Sequence, residues 1–274
     1  MYLKKLLSLL IIFITSSTLF AQCPDPSTDS TPPTAVCLDI TVQLDANGTV
    51  SITPADIDGG SSDNCGIATL LSTEDSFNCE DLGANTVSLF VIDTNNNSAG
   101  CTATVTVVDV IDPSIVSLPS NISLNNDSGA CGAVATWTEP TSDDNCTGSS
   151  IVQTAGLANG AEFPVGTSIV TYTATDASNN TFSASFTITV TDNENPTIVD
   201  LPANIAVNND AGVCGAVVTW VAPTSADNCS GSTIAQTAGD VSGSTFPIGA
   251  TTITYTATDA SNNTFSASFT ITVT

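Results

Sequence analysis

Residues 171–191 read TYTATDASNNTFSASFTITVT, and the same run recurs unchanged at residues 254–274. In the first copy Phe182, Ala184, Phe186, Ile188 and Val190 alternate with Ser183, Ser185, Thr187 and Thr189. That period of two marks a strand with one buried face. Upstream, Val170, Tyr172 and Ala174 alternate with Thr171, Thr173 and Thr175, and DASNN between the arms supplies turn residues. The block therefore reads as a β-hairpin built from the β-branched and aromatic residues that strands favour.

The copying extends well beyond the hairpin. An offset of 83 residues aligns Pro113 with Pro196, Cys131 with Cys214, Trp137 with Trp220, Cys146 with Cys229 and Phe163 with Phe246, without a gap. A constant offset through strands and loops alike signals a duplicated structural unit. Earlier in each unit, NISLNNDSGACGAVATW reads as a second hairpin turning at Asn126–Gly129, and SIVQTAG and AEFPVGT add short strands. A more divergent copy covers about residues 34–112. There CLDITVQLDANGTVSI suggests a hairpin around Ala46-Asn47-Gly48, and SSDNCG matches SDDNCT and SADNCS of the later copies.

No stretch beyond the N-terminal leader shows helical periodicity. Six or seven short strands per unit point to an all-β chain of three tandem immunoglobulin-like β-sandwich domains after a signal peptide. The expected division is a signal peptide at 1–21, a linker at 22–33, and domains at 34–112, 113–195 and 196–274. Trp137 and Trp220 fall on alternating apolar strands, which makes them core residues rather than ligand platforms.

The leader carries Lys4 and Lys5 before an apolar run from Leu6 to Thr15, and Leu19-Phe20-Ala21 offers a cleavage point. The run is shorter than the roughly 18–20 residues of a membrane span. Lipidation at Cys23 is the rival reading, but Gln22 stands where a lipoprotein signal wants a small residue. Export leads to an oxidising compartment, where the nine cysteines read as disulfides. Sequence proximity favours Cys131 with Cys146 and Cys214 with Cys229. In the first unit Cys37, Cys65, Cys79 and Cys101 allow three connectivities, with Cys37–Cys65 and Cys79–Cys101 preferred. Cys23 is left over, to pair with something outside this chain, to pair between chains, or to stay a thiol.

Lys4 and Lys5 are the chain's only basic residues, against 27 Asp and Glu and no His. Nucleic-acid binding by phosphate neutralisation is excluded, because beyond the leader no cation exists to displace counterions. The same composition removes His-assisted acyl transfer, cationic phosphoryl clamps and Schiff-base chemistry. Carboxylate pairs such as Asp143–Asp144 and Glu80–Asp81 lie in loops with no sign of a substrate cleft, so no enzyme is expected. Apart from calcium, no cofactor is expected. At the junctions VVDVIDPSIV and VTDNENPTIV, Asp109, Asp112, Asp192, Asn193, Glu194 and Asn195 offer clustered hard oxygen donors. Solvated linker carboxylates are the plainer interpretation. The DNC loops read as Asx turns that present the cysteine.

Taken in order, NPTIVDLPANIAVNNDAGVCGAVVTW, APTSADNCSG, FPIGATTITYTATDASNN and SFTITVT resemble the hyalin repeat, or HYR domain. The resemblance covers residues 113–274 nearly end to end. The first unit resembles a four-cysteine relative found beside such repeats in secreted Bacteroidetes proteins. This resemblance implies an immunoglobulin-like fold, an extracellular or cell-surface location and a role in adhesion to a surface glycan or protein. It brings no catalytic residue, and it leads us to expect further domains beyond Thr274. The alternative function is a carbohydrate-binding accessory region of a larger secreted enzyme.

Overall fold

A computed structural model describes residues 27–274, and the signal peptide and the first part of the proposed linker, Cys23 included, lie outside that range. All the longer elements among the described residues are β-strands. Two single-turn 3-10 segments, Pro54–Ile57 and Cys79–Asp81, complete the set. Three separate hydrophobic clusters occupy the three repeats. By compactness the chain divides into two units, one running to Ile111 and taking in Asn145–Thr147, the other comprising Asp112–Asp144 and Gly148–Thr274.

Each repeat has the same plan. In the second, strands Ser150–Ala155, Gly166–Thr175, Thr181–Thr191 and Ile122–Asn125 form a four-stranded sheet in that order. The hairpin expected at 166–191 is present, with Val170 opposite Phe186 and Tyr172 opposite Ala184. Gly132–Val134 pairs with Glu162–Pro164, and Ser114–Val116 with Thr141–Asp143, to supply the covering strands. The third repeat reproduces every pairing, and the first keeps the four-stranded sheet and the Thr49–Ser51 with Ser76–Asn78 ladder.

The second hairpin anticipated in each repeat does not form. Ile122–Asn125 instead runs parallel to Thr181–Thr191, while Gly132–Val134 joins the opposite layer. The Asn126–Gly129 segment is thus a corner between sheets. Around Ala46-Asn47-Gly48 the outcome is the same, since Ile40–Gln43 pairs with Ser98–Val108 and Thr49–Ser51 with Ser76–Asn78. In both places the chain does turn, but a parallel partner about 65 residues away leaves no local signature.

Alternation decides the core. Val170, Tyr172, Ala174, Phe186, Ile188 and Val190 are buried, whereas Thr171, Thr173, Ser183 and Ser185 face outward and pair hydroxyls across the strands, Thr171 with Ser185 at 2.9 Å and Thr173 with Ser183 at 2.8 Å. Phe182 departs from the expectation. At the turn end of its strand it is 44% exposed, and Phe265 repeats this in the third unit. Trp137 packs edge-on against Phe186 and Phe163, with ring centroids 5.3 and 6.1 Å away, and donates Nε1–H to the Tyr172 hydroxyl at 2.9 Å. Trp220 packs edge-on against Phe269 and tilted against Phe246, and donates to the Tyr255 hydroxyl, so both tryptophans serve the core.

Candidate functional site

The site is built where one repeat ends and the next begins, between Thr191 and Thr197. The 126–130 corner of the second repeat folds over this junction: Asn126 N–H donates to Thr191 O, Asn193 N–H to Asn126 Oδ1, and Gly129 N–H to the Glu194 carboxylate at 2.8 Å. The 227–229 loop of the third repeat meets the same corner, with Asn228 Nδ2 donating to Ala130 O at 2.8 Å. A disulfide between Cys131 and Cys229 locks the two together.

This pairing corrects the expected connectivity. Cys37 bonds Cys101, Cys79 bonds Cys146, and Cys131 bonds Cys229. Cys65 is also disulfide-bonded, while Cys214 carries an exposed thiol. The third repeat shows the reason. Cys214 precedes Gly215, which pairs with Pro247 beside the start of strand Gly249–Thr258, whereas Cys229 precedes Thr233, which pairs with Thr258 at its far end. A ten-residue strand spans about 30 Å, and a disulfide needs Cα atoms within roughly 7 Å. Cysteines fifteen residues apart in sequence therefore sit at opposite ends of one sandwich.

Of the junction residues, Asp192 is buried, at 3% exposure, and its Oδ1 accepts from Glu194 N–H at 3.1 Å. Asn193 and Asn195 are exposed, and Glu194 is occupied by Gly129. In the first compact unit Asp109 is buried, with Oδ1 accepting from Ile111 N–H and Asn145 Nδ2, while Asp112, which opens the second unit, is exposed. The junction acids thus divide into buried aspartates and surface residues, a distinction that composition did not carry.

The DNC loops contribute what the junction motif alone missed. Asp227 Oδ2 accepts from Cys229 N–H at 3.1 Å, the expected Asx turn, and its side chain lies beside that of Asp192. The third participant is the closing turn of the hairpin. Asp259 accepts from Asn263 N–H and Nδ2, both at 2.8 Å, and the same Asn263 Nδ2 reaches Asp192 O at 3.1 Å. The first repeat repeats the arrangement: Asp63 Oδ2 accepts from Cys65 and Gly66 N–H, Asp93 accepts from Asn97, and Asn97 Nδ2 reaches Asp29 O at 3.2 Å. In Asp143–Asp144 and Glu80–Asp81, the paired acids elsewhere, Asp143 ends an exposed strand and Asp81 caps its own 3-10 turn through Asn78 N–H.

Tandem all-β sandwiches, the second and third joined by a cystine at their junction, define a tandem-repeat protein. Residues 108–190 and 191–273 match the HYR domain, and the chain belongs to that family. It is similar to a hyalin of Strongylocentrotus purpuratus, 37% identical over 258 residues, which covers 90% of this chain and 21% of that protein. It is also similar to a hyalin of Lytechinus variegatus, 32% identical, covering 77% of this chain and 41% of that protein. The chain thus spans under half the length of either relative. Both come from sea urchins, and they lend no support to the bacterial origin the sequence resemblance suggested. Among solved structures, a protocadherin gammaB7 EC3-6 cis-dimer structure aligns over 86% of this chain and 72% of its own at 15% identity and a TM-score of 0.35. Drosophila N-cadherin EC1-4 aligns over 89% and 75% at 13% identity and the same score, values too low to carry an argument.

Proposed function

We propose that this chain is a non-catalytic extracellular segment of a larger surface protein, acting as an adhesive or spacer element toward a surface glycan or protein. The observation that supports this most is the pair of consecutive HYR repeats over residues 108–273, shared with two proteins named hyalin. Composition points the same way. Beyond Lys5 there is no Lys, Arg or His to shuttle a proton or clamp a phosphate. No helix among the described residues is long and apolar enough to cross a membrane.

One observation favours the second reading, a carbohydrate-binding accessory region. Phe90, Phe182 and Phe265 each stand 44–45% exposed, one per repeat, and such rings can stack on sugars. Both readings are tested with the full chain expressed in a secreting host. Secretion into the medium, and cell attachment to a surface coated with the chain but not with its reduced and alkylated form, is the expected result. Retention inside the cell overturns the extracellular assignment. Selective capture on polysaccharide without cell attachment favours the accessory-region reading.

A further inference from the structure

Three oxygen atoms at the junction of the second and third repeats are buried and have no hydrogen-bond partner: Asp192 Oδ2, Asp227 Oδ1 and Asn228 Oδ1. Carboxylate oxygens of Asp192 and Asp227 lie within 4.8 Å of each other. Two carboxylates held this close while shielded from water repel strongly, and with no basic side chain beyond Lys5 no ion pair can relieve them. A buried acceptor normally finds a donor, so two orphaned carboxylate oxygens side by side, with a third orphan on the residue next to Asp227, call for an explanation. The first unit poses the same problem. Asp29, Asp63 and Asp93 lie together within 4.8 Å, and Asp29 Oδ2 and Asp63 Oδ1 are again buried without partners. The divergent first repeat shares little sequence with the third, yet each has an Asx-turn aspartate, a neighbouring aspartate with one buried, unpartnered oxygen, and an asparagine bridging the two loops.

We propose that Asp192, Asp227 and Asn228 form a calcium site, with Asp29 and Asp63 as the counterparts of its two aspartates in the first unit. The donor set identifies the ion. Two carboxylates and an amide carbonyl are hard oxygens, which suit calcium rather than the soft or imidazole-seeking metals. Cys229 stands beside the site, but its sulfur is committed to Cys131 and is no thiolate ligand. Calcium's remaining positions would be filled by water. Two of the donors come from the 227–229 loop and one from the junction, so the ion fixes that loop of the third repeat against the end of the second. Of the junction residues expected as ligands in this half of the molecule, only Asp192 belongs to the site. The assignment stands on donor chemistry and is independent of the adhesive role.

The test uses the full chain, stripped with chelator and titrated with calcium chloride while binding heat and melting temperature are read. Wild type should bind calcium at about millimolar free concentrations or tighter, as extracellular modules do, and melt several degrees higher with it. Asp192→Asn and Asp227→Asn should each bind one equivalent fewer. In chelator both should melt at or above the wild type, because each removes one of two repelling charges. Should either fail to fold, Asn228→Ala keeps both carboxylates and should weaken binding at least several-fold. Absence of any calcium response overturns the proposal, as would a shared proton between Asp192 and Asp227. Unchanged stoichiometry in the variants or an equal response to magnesium overturns it too.

Discussion

Cys131 and Cys229, 98 residues apart, are joined by a disulfide with their Cα atoms 4.8 Å apart, so the corner of one repeat is bonded to the 227–229 loop of the next. The bond makes the junction a covalent joint in addition to a stretch of linker. Cys131 is reached from a sheet corner and Cys229 from an Asx turn, and neither position depends on the other in sequence.

Non-reducing peptide mapping should recover Cys131 with Cys229 and Cys79 with Cys146. Closing loops of 67–98 residues is worth about 4–5 kcal/mol on the chain-entropy view. Cys229→Ser should lower the melting temperature accordingly, while Cys214→Ser should leave it unchanged. Recovery of a Cys214–Cys229 peptide would sink this arrangement.

Cys214 should react with a maleimide in the native protein, before any denaturant or reductant is added. Its side chain is exposed and carries no disulfide, unlike Cys131 at the equivalent corner. Mass spectrometry of the labelled peptide checks this, and a blocked Cys214 would contradict the exposed thiol.

Tyr172→Phe removes the acceptor for Trp137 Nε1–H and the donor to Glu139 while keeping the ring. A loss of about 1 kcal/mol is expected from the hydrogen bonds. Phe163→Ala, which empties a fully buried site, should cost about 3–5 kcal/mol. Denaturant unfolding of both variants separates the two scales.

Besides Asp93, three carboxyls of the first unit sit below the ordinary carboxylate range. For Asp45 the main cause is the Thr49 backbone N–H, for Asp56 the Thr53 backbone N–H, and for Asp58 the Ser61 hydroxyl. A folded pKa below the unfolded one stabilises fully above the unfolded value, near 3.8, and that contribution fades as the pH falls through the folded value. Melting temperature should therefore drop below about pH 4, and Asp45→Asn should flatten that drop. A fall confined to pH 5–7 would contradict it.

At the alkaline end, burial and then the hydrogen bond to Glu139 push Tyr172 above its usual range, partly offset by donation from Trp137. Its stabilisation is complete below about pH 10 and is lost as the pH rises through the folded value. Phenolate absorbance should show one tyrosine ionising late, and Tyr172→Phe should remove that phase.

Alternation, turn chemistry and the 83-residue offset made the all-β repeats, the 166–191 hairpin and the core-packed tryptophans legible in the linear sequence. These depend on neighbours within about twenty residues, and side-chain periodicity records them directly. Tertiary structure alone decided which cysteines meet, where Ile122–Asn125 pairs, and which junction acids are buried. The disulfides and the parallel pairing join segments 64 to 98 residues apart and Asp109 meets Asn145 36 residues on, all set by which end of a sandwich a loop leaves from. Proximity in sequence suggested Cys214 with Cys229, but the length of the strand between their loops keeps them apart.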